Sequence, residues 1–326
     1  MAFNDSDIRR VFAASTSALP LRKQGVHSNR VRLATRFLAV IIEAIPLPLR
    51  HSGLHLMSEF LDICERAARA GGAILLDWAG RFSVREKGPS DLVTEADLAS
   101  QEIVREILLS AFPDHEFLSE EEPAINFQSA QPNRGFAEPT ENSPPRYRWI
   151  VDPLDGTTNY VHHIPEFAVS IALERGGEVL VGCVFNPVSG ECYTAKLGGG
   201  ALLNGRQLAA SRVTQLSQAL VAASFPPKVE PGSRPLVDFS RMIVACQSIR
   251  RTGSAALNLC YVAAGRFDAY WARETKIWDV AAGSLMIREA GGLITSLDGS
   301  PLRLDRPQFL AAGTESLHRQ IREIVG

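Results

Sequence analysis

Trp149-Ile-Val-Asp152-Pro-Leu-Asp155-Gly-Thr-Thr-Asn159 decides how the rest of this chain is read. Trp149, Ile150 and Val151 are the aromatic and β-branched residues that favour a buried strand. The chain leaves that strand by presenting two carboxylates, Asp152 and Asp155. Pro153 fixes one backbone angle and Gly156 permits a tight turn. Such a turn aims both carboxylates and the Leu154 carbonyl to one side, while the Gly156 and Thr157 N–H groups open toward an anion, as at a helix start. Oxygen-only ligands are what a hard cation such as Mg²⁺ requires. Asp-x-x-Asp-Gly alone is also a common turn. What separates a metal loop from a plain helix cap is the whole octapeptide following a buried strand.

Working outward, three further acidic stations stand near apolar segments. Asp91 and Asp97 flank Leu-Val-Thr-Glu-Ala, where Thr94 to Asp97 reads as a capping box opening a helix. Glu120-Glu121-Glu122 follows Phe117-Leu118-Ser119, again an apolar strand ending in acid, although a solvated charge run reads the same way. Asp279 follows Ile277-Trp278 and precedes Val280-Ala-Ala-Gly283, a position that also suits a simple N-cap. Two unit charges ~4 Å apart repel by about 4 kcal/mol at an effective dielectric near 20. Converging carboxylates therefore imply a cation between them.

The surrounding pattern is mixed α and β. Phe60, Ile63, Cys64, Ala67, Ala70, Ile74 and Leu75 recur at helical spacing from Met57 onward, and Ala96, Ala99, Ile103, Ile107 and Ala111 mark a second helix. Strands are expected at Phe82–Glu86, Trp149–Val151, Phe167–Leu173, Val179–Asn186 and Glu191–Ala195, with a long loop over Glu122–Arg148. After Gly205 helices are expected at Ala255–Ala264, Val280–Ala290 and Glu315–Val325, and strands at Leu293–Leu297 and Phe309–Ala312. These give a metal-binding half over 57–205 and an α/β half over 206–326. Residues 1–56, rich in Arg and broken by Ser and Pro, read as a poorly ordered extension apart from the chemistry.

The 326 residues carry a net charge of −2, 45% hydrophobic and 21% charged residues, which excludes nothing globular and points to neither nucleic acid nor membrane. No apolar run reaches the ~18 residues of a transmembrane helix. Cys64, Cys183, Cys192, Cys246 and Cys260 form no CxxC pair and read as small buried hydrophobes in a reducing cytoplasm. The sequence has no G-x-S-x-G, no Walker loop and no inviting Cys–His spacing. Gly198-Gly-Gly200 reads as a turn, His162 and His163 as loop residues, and Trp149 and Trp278 as packing beneath the site.

Asp152-Pro-Leu-Asp-Gly-Thr-Thr-Asn, with Asp91-Leu-Val-Thr-Glu-Ala-Asp97, Ser119-Glu-Glu, Gly253-Ser-Ala-Ala-Leu-Asn and Trp278-Asp-Val-Ala-Ala-Gly-Ser, resembles the inositol monophosphatase family from about Met57 to the C-terminus. The resemblance implies a layered αβαβα sugar-phosphatase fold, a dimer, two or three Mg²⁺ ions, hydrolysis of a small phosphorylated substrate, and inhibition by Li⁺. It implies that Glu120, Asp152 and the Leu154 carbonyl hold a first ion, that Asp152, Asp155 and Asp279 hold a second, and that Glu120 helps with a third. Gly156 and Thr157 would hold phosphate, Thr157 and Asp97 would orient water, and Lys87 and Asp91 would stand behind them. Gly253, Ser254 and Ala255 match positions that line the substrate pocket.

Two departures bear on the substrate. Ala272 stands where inositol-binding members carry Glu seven residues before the last metal Asp, with Glu274 nearby, and the stretch between Glu121 and Asp152 is long. Histidinol phosphate, a 3′-phosphonucleotide or a sugar bisphosphate are therefore alternative substrates for the same chemistry. A metal-bound scaffold without turnover is the remaining reading, against which stands the presence of every implied ligand.

Overall fold

The computed structural model describes residues 53–88, 91–121, 146–226 and 228–326, all within a unit spanning Pro48–Gly326. The expected extension up to residue 52 and the loop over 122–145 lie outside the described residues. Helix α1 (Gly53–Trp78) opens slightly ahead of Met57. A hairpin of β1 (Val84–Gly88) and β2 (Asp91–Thr94) leads into α2 (Glu95–Ala111). The capping box legible in the sequence is present: Thr94 Oγ accepts from Ala96 N–H at 3.1 Å and Asp97 accepts from Thr94 N–H at 2.9 Å.

The first large sheet follows: β3 (Glu116–Ser119), β4 (Tyr147–Asp155), then, after the short helix α3 (Thr157–Val161), β5 (Ala168–Arg175), β6 (Glu178–Asn186), β7 (Glu191–Lys196), β8 (Gly200–Leu203) and β9 (Arg206–Gln207). The strands lie in sequence order. β3 is parallel to β4, so both end at the same edge, and every later pair is antiparallel.

Then come β10 (Leu220–Ser224), α4 (Arg234–Ala245), β11 (Ser248–Arg250), α5 (Ala255–Ala263), β12 (Ala269–Ala272), α6 (Ile277–Glu289), β13 (Leu293–Ser296), β14 (Phe309–Ala312) and α7 (Glu315–Val325). Their strands form a second, mixed sheet in the order β11-β10-β12-β14-β13. Neither β10, α4, β11 nor β12 is expected from the sequence pattern. β10 and β12 are short alanine-rich strands buried on both faces, so they lack the polar alternation that marks a half-exposed strand.

The layers stack as α1/α2, large sheet, α5/α6, small sheet, α4/α7. Alternation along the small sheet makes this possible. Ala222, Tyr270, Ala272, Phe309 and Ala311 face α5 and α6, whereas Val221, Ala223, Trp271, Leu310 and Ala312 face Met242, Leu317, Ile321 and Val325 of the outer helices. Small residues set the closeness of the central layer. A Cβ on Gly182 of β6 would stand 3.0 Å from Ala282 Cα, so α6 rests directly on the sheet backbone.

Helix α6 is fastened at both ends. Ser170 Oγ on β5 donates to the Trp278 carbonyl at 3.3 Å, and the Gly198 and Gly200 N–H groups donate to the Glu289 carboxylate at 2.8 and 2.7 Å. The triple-glycine stretch is thus a turn, as expected, and grips an anion supplied by the chain itself. All five cysteines are buried and free. Among the described residues no helix is long and apolar enough to cross a membrane.

Candidate metal centre

Strand β4 carries the site at its C-terminal end. Register pairs Ser119 with Val151, so Glu120, the first residue past β3, emerges beside Asp152, its N–H donating to the Val151 carbonyl at 3.2 Å. Across the other edge Asp152 pairs with Ser170, whose hydroxyl holds the first turn of α6. The ladder then shifts register between Asp152 and Asp155, as expected where Pro153 has no N–H to give. The kink is secured by Ser100 Oγ donating to the Pro153 carbonyl at 2.9 Å and by Leu154 N–H donating to Asp152 Oδ1 at 3.0 Å.

Gly156 then takes φ +90°, where a Cβ would meet the Glu166 carbonyl at 2.9 Å, so a side chain is disfavoured twice. Thr157 opens α3, and its Oγ donates toward the Leu154 carbonyl at 3.0 Å and lies 3.4 Å from Asp97 Oδ1. The other Asp97 oxygen accepts from both Thr94 N–H and Thr94 Oγ. Asp97 is fully buried. Asp279 lies inside the first turn of α6 rather than ahead of it, because the helix begins at Ile277; there it accepts from Lys276 N–H at 2.8 Å.

The folded chain brings the distant acids together. One oxygen each from Asp152, Asp155 and Asp279 lies within 4.8 Å of the others. Burial, then Glu120, Asp155 and Asp279, push the Asp152 carboxyl well above the usual carboxylate range. Burial and then Asp155 do the same for Asp279. Asp155 is raised too, chiefly by burial, but hydrogen bonds from Ser254, Ala255 and Ala256 pull the other way. Glu120 is half-buried and adds to the repulsion felt by Asp152 and Asp279. Buried carboxylates this close either take up protons or enclose a cation, and an all-oxygen donor set fits a hard divalent ion.

The remaining expected site residues fall in three places. Lys87 and Asp91 lie on the β1–β2 hairpin, but their side chains lie outside the described residues. Gly253, Ser254 and Ala255 form the entrance to α5, with Gly253 at φ +96° and Ser254 fully buried. Ala272 is fully buried in the central core, whereas Glu274, at φ +58°, is exposed and lines a cleft of about 760 Å³ with Trp278 and Lys276. His162 and His163 occupy the turn after α3, in keeping with a loop role. Trp149 packs on the α2 side of the sheet, against Phe112 and His115, while Trp278 is partly buried on the opposite side.

Asn159, to which the sequence pattern assigns no role, joins two parts of the site. Its Nδ2 donates to the Glu166 carbonyl at 2.6 Å and to the Thr252 carbonyl at 2.8 Å, tying the metal loop to the entrance of α5. Its place at the end of the octapeptide was the one available signal.

Comparison with known proteins finds one family over most of the chain. The profile of the inositol monophosphatase family matches residues 56–326. An inositol-1-monophosphatase from Rhizobium meliloti is 40% identical over 273 residues, covering 82% of this chain and 96% of the relative. A protein named Nus factor SuhB from Vibrio cholerae is 37% identical over 274 residues, covering 82% of this chain and 97% of the relative. Among solved structures, the extragenic suppressor protein SuhB from Bartonella henselae superposes with a TM-score of 0.72 at 36% identity, covering 81% of this chain and 97% of that one.

Proposed function

Because the chain belongs to the inositol monophosphatase family and is a phosphomonoesterase of the αβαβα architecture, we propose that it hydrolyses its ester with two or three Mg²⁺ ions held by Glu120, Asp152, the Leu154 carbonyl, Asp155 and Asp279. The observation that carries this reading is the convergence of the Asp152, Asp155 and Asp279 oxygens within 4.8 Å. Bound there, the ions supply an acidified water and positive charge against the phosphoryl and leaving oxygens. The protein's own groups supply position. With its proton on Asp97, the Thr157 hydroxyl turns a lone pair outward to accept from the attacking water and aim it. Thr94 holds Asp97 in the orientation that makes this possible. The Gly156 and Thr157 amides, at a helix start where N–H groups have no partner within the helix, hold the phosphate, and Lys87 and Asp91 stand in the outer shell.

The substrate is a small phosphate monoester of the inositol 1-phosphate type, received near Gly253 and Ala255. A second reading has the same chemistry acting on histidinol phosphate, a 3′-phosphonucleotide or a sugar bisphosphate, and the burial of Ala272 favours it, since that position presents no polar group to a sugar. We also read the enzyme as a cytoplasmic homodimer without need of nucleic acid or membrane; its buried free thiols suit a reducing compartment. What supports the halves 57–205 and 206–326 is that β3–β8 fall in the first and β10–β14 in the second, although β9 of the large sheet lies just past the boundary. Residues 1–56 are dispensable for chemistry, in keeping with a family match that begins at residue 56.

Phosphate release from myo-inositol 1-phosphate and from the three alternative esters, with Mg²⁺ and with EDTA, tests this. Asp155→Asn is expected to lose about 10³-fold in rate. No release from any ester, or release indifferent to EDTA, sinks the reading.

A further inference from the structure

Ser254 occupies a position that the family resemblance assigns to the substrate pocket, yet its side chain is fully buried. Its hydroxyl makes two hydrogen bonds of opposite sense. The oxygen accepts from Leu257 N–H at 3.1 Å, as an N-cap does, and the proton goes to Asp155 Oδ2. A hydroxyl has one proton, and this one is committed to a carboxylate. The same turn of α5 gives Asp155 two more donors, Ala255 N–H to Oδ1 at 3.1 Å and Ala256 N–H to Oδ2 at 3.0 Å. A carboxylate has about four lone-pair sites. Donors from the entrance of α5 thus occupy both oxygens and fix the orientation of the carboxylate.

The turn that carries Ser254 is itself pinned to the metal loop. Asn159 holds the Thr252 carbonyl at 2.8 Å. A Cβ on Gly253 would stand 2.7 Å from Asn159 Nδ2, so the backbone there lies directly against that amide. The entrance of α5 is therefore fixed on both sides, by Asn159 and by Asp155.

We propose that Ser254 is a positioning residue for the metal ligand Asp155, setting its orientation and hence its affinity for the shared cation, and that its side chain makes no contact with the substrate. The proposal rests on the reading of Asp155 as a Mg²⁺ ligand. Removing the hydroxyl leaves Oδ2 with the Ala256 N–H alone and loosens the orientation of the carboxylate, and loss of such an outer partner typically weakens metal binding about 10- to 100-fold.

The test is calorimetric titration of Mg²⁺ into the metal-stripped full-length protein, with steady-state kinetics at saturating Mg²⁺ on the most active ester. Ser254→Ala is expected to weaken Mg²⁺ binding at least about tenfold. Its KM for the ester at saturating Mg²⁺ should stay within about twofold of wild type, and Ser254→Thr, which keeps the hydroxyl, should restore the affinity. Ser254→Cys, close in volume and a weak donor, should fall between and serves if the alanine variant does not fold. Unchanged Mg²⁺ affinity in the alanine and cysteine variants overturns the proposal. So does a raised KM for the ester with metal binding intact, which would return Ser254 to the substrate pocket. A wild-type protein that takes up no Mg²⁺ removes the underlying metal reading, an outcome visible before any variant is compared.

Discussion

Asp97 and Asp279 sit in the same local setting and end in different chemistry. Each occupies the first turn of a helix, and each carboxylate reaches back to the N–H of the residue before that helix, Thr94 at 2.9 Å and Lys276 at 2.8 Å. At Asp97 the other neighbours also come from the chain: the Thr94 hydroxyl donates to it and the Thr157 hydroxyl lies 3.4 Å away. Asp279 faces Asp152 and Asp155 instead, and its burial among them raises its pKa well above the ordinary value. One acid is spent on the protein's own hydrogens and the other is left for a cation. A helix-capping motif therefore fixes where a carboxylate stands, and the strands packed against it fix what the carboxylate does.

Neutralising each acid in turn should break this comparison in opposite ways. Asp279→Asn should lose about 10³-fold in phosphate release along with much of its Mg²⁺ affinity, while its metal-free form, relieved of one buried charge, should melt at a higher temperature than metal-free wild type. An unchanged or lower melting point would mean that Asp279 is not under repulsion. Asp97→Ala should lose about 10²-fold in kcat with Mg²⁺ affinity within about threefold of wild type, and should cost about 1–2 kcal/mol in denaturant unfolding because the cap goes with it. Parallel losses of metal binding in both variants would erase the distinction.

A smaller effect sharpens the contrast through pH. Asp152, Asp155 and Asp279 have raised pKa values in the folded protein, so above the ordinary value of 3.8 the folded state binds more protons than the unfolded chain. The contribution of these carboxyls to metal-free stability then falls as pH rises, until they have ionised in the folded state, whereas His115, pushed down to about 4 by burial, and His318, lowered likewise, act in the opposite sense below their ordinary 6.5. Above pH 6.5, where the histidines no longer contribute, scanning calorimetry in EDTA should show the melting temperature dropping by about 2–4 °C toward pH 8, and Mg²⁺ should flatten that slope. Equal slopes with and without Mg²⁺ would show that the cluster is not where the ion binds.

Much of this was legible in the residue order because local chemistry and final position coincide there. The octapeptide after Trp149-Ile-Val, the box at Thr94 and the acid behind Trp278 each announce a turn with a carboxylate in it, and those turns hold the converging groups. In the large sheet β5–β7 are also buried on both faces, but their long runs rich in β-branched and other apolar residues are enough for them to be recognised. In the small sheet, Leu220–Ser224 and Ala269–Ala272 are only five and four residues long and pack on both faces, so no period distinguishes them. The direction of Ser254 was not readable at all. It depends on Asp155, 99 residues earlier, and family likeness pointed its side chain at the pocket instead.

Helix α6 joins the two kinds of information. Its start bears Asp279 and is tied to β5 through Ser170, and its end is held at Glu289 by the glycine turn. A residue inserted or deleted between those acids would rotate one end against the other by about 100° and shift it by about 1.5 Å. Neither tie could then be kept without giving up the other. Length is thus a specified quantity here: substitutions along the helix can be absorbed one by one, but the number of residues between its two anchors is a dimension to which the carboxylate cluster is machined.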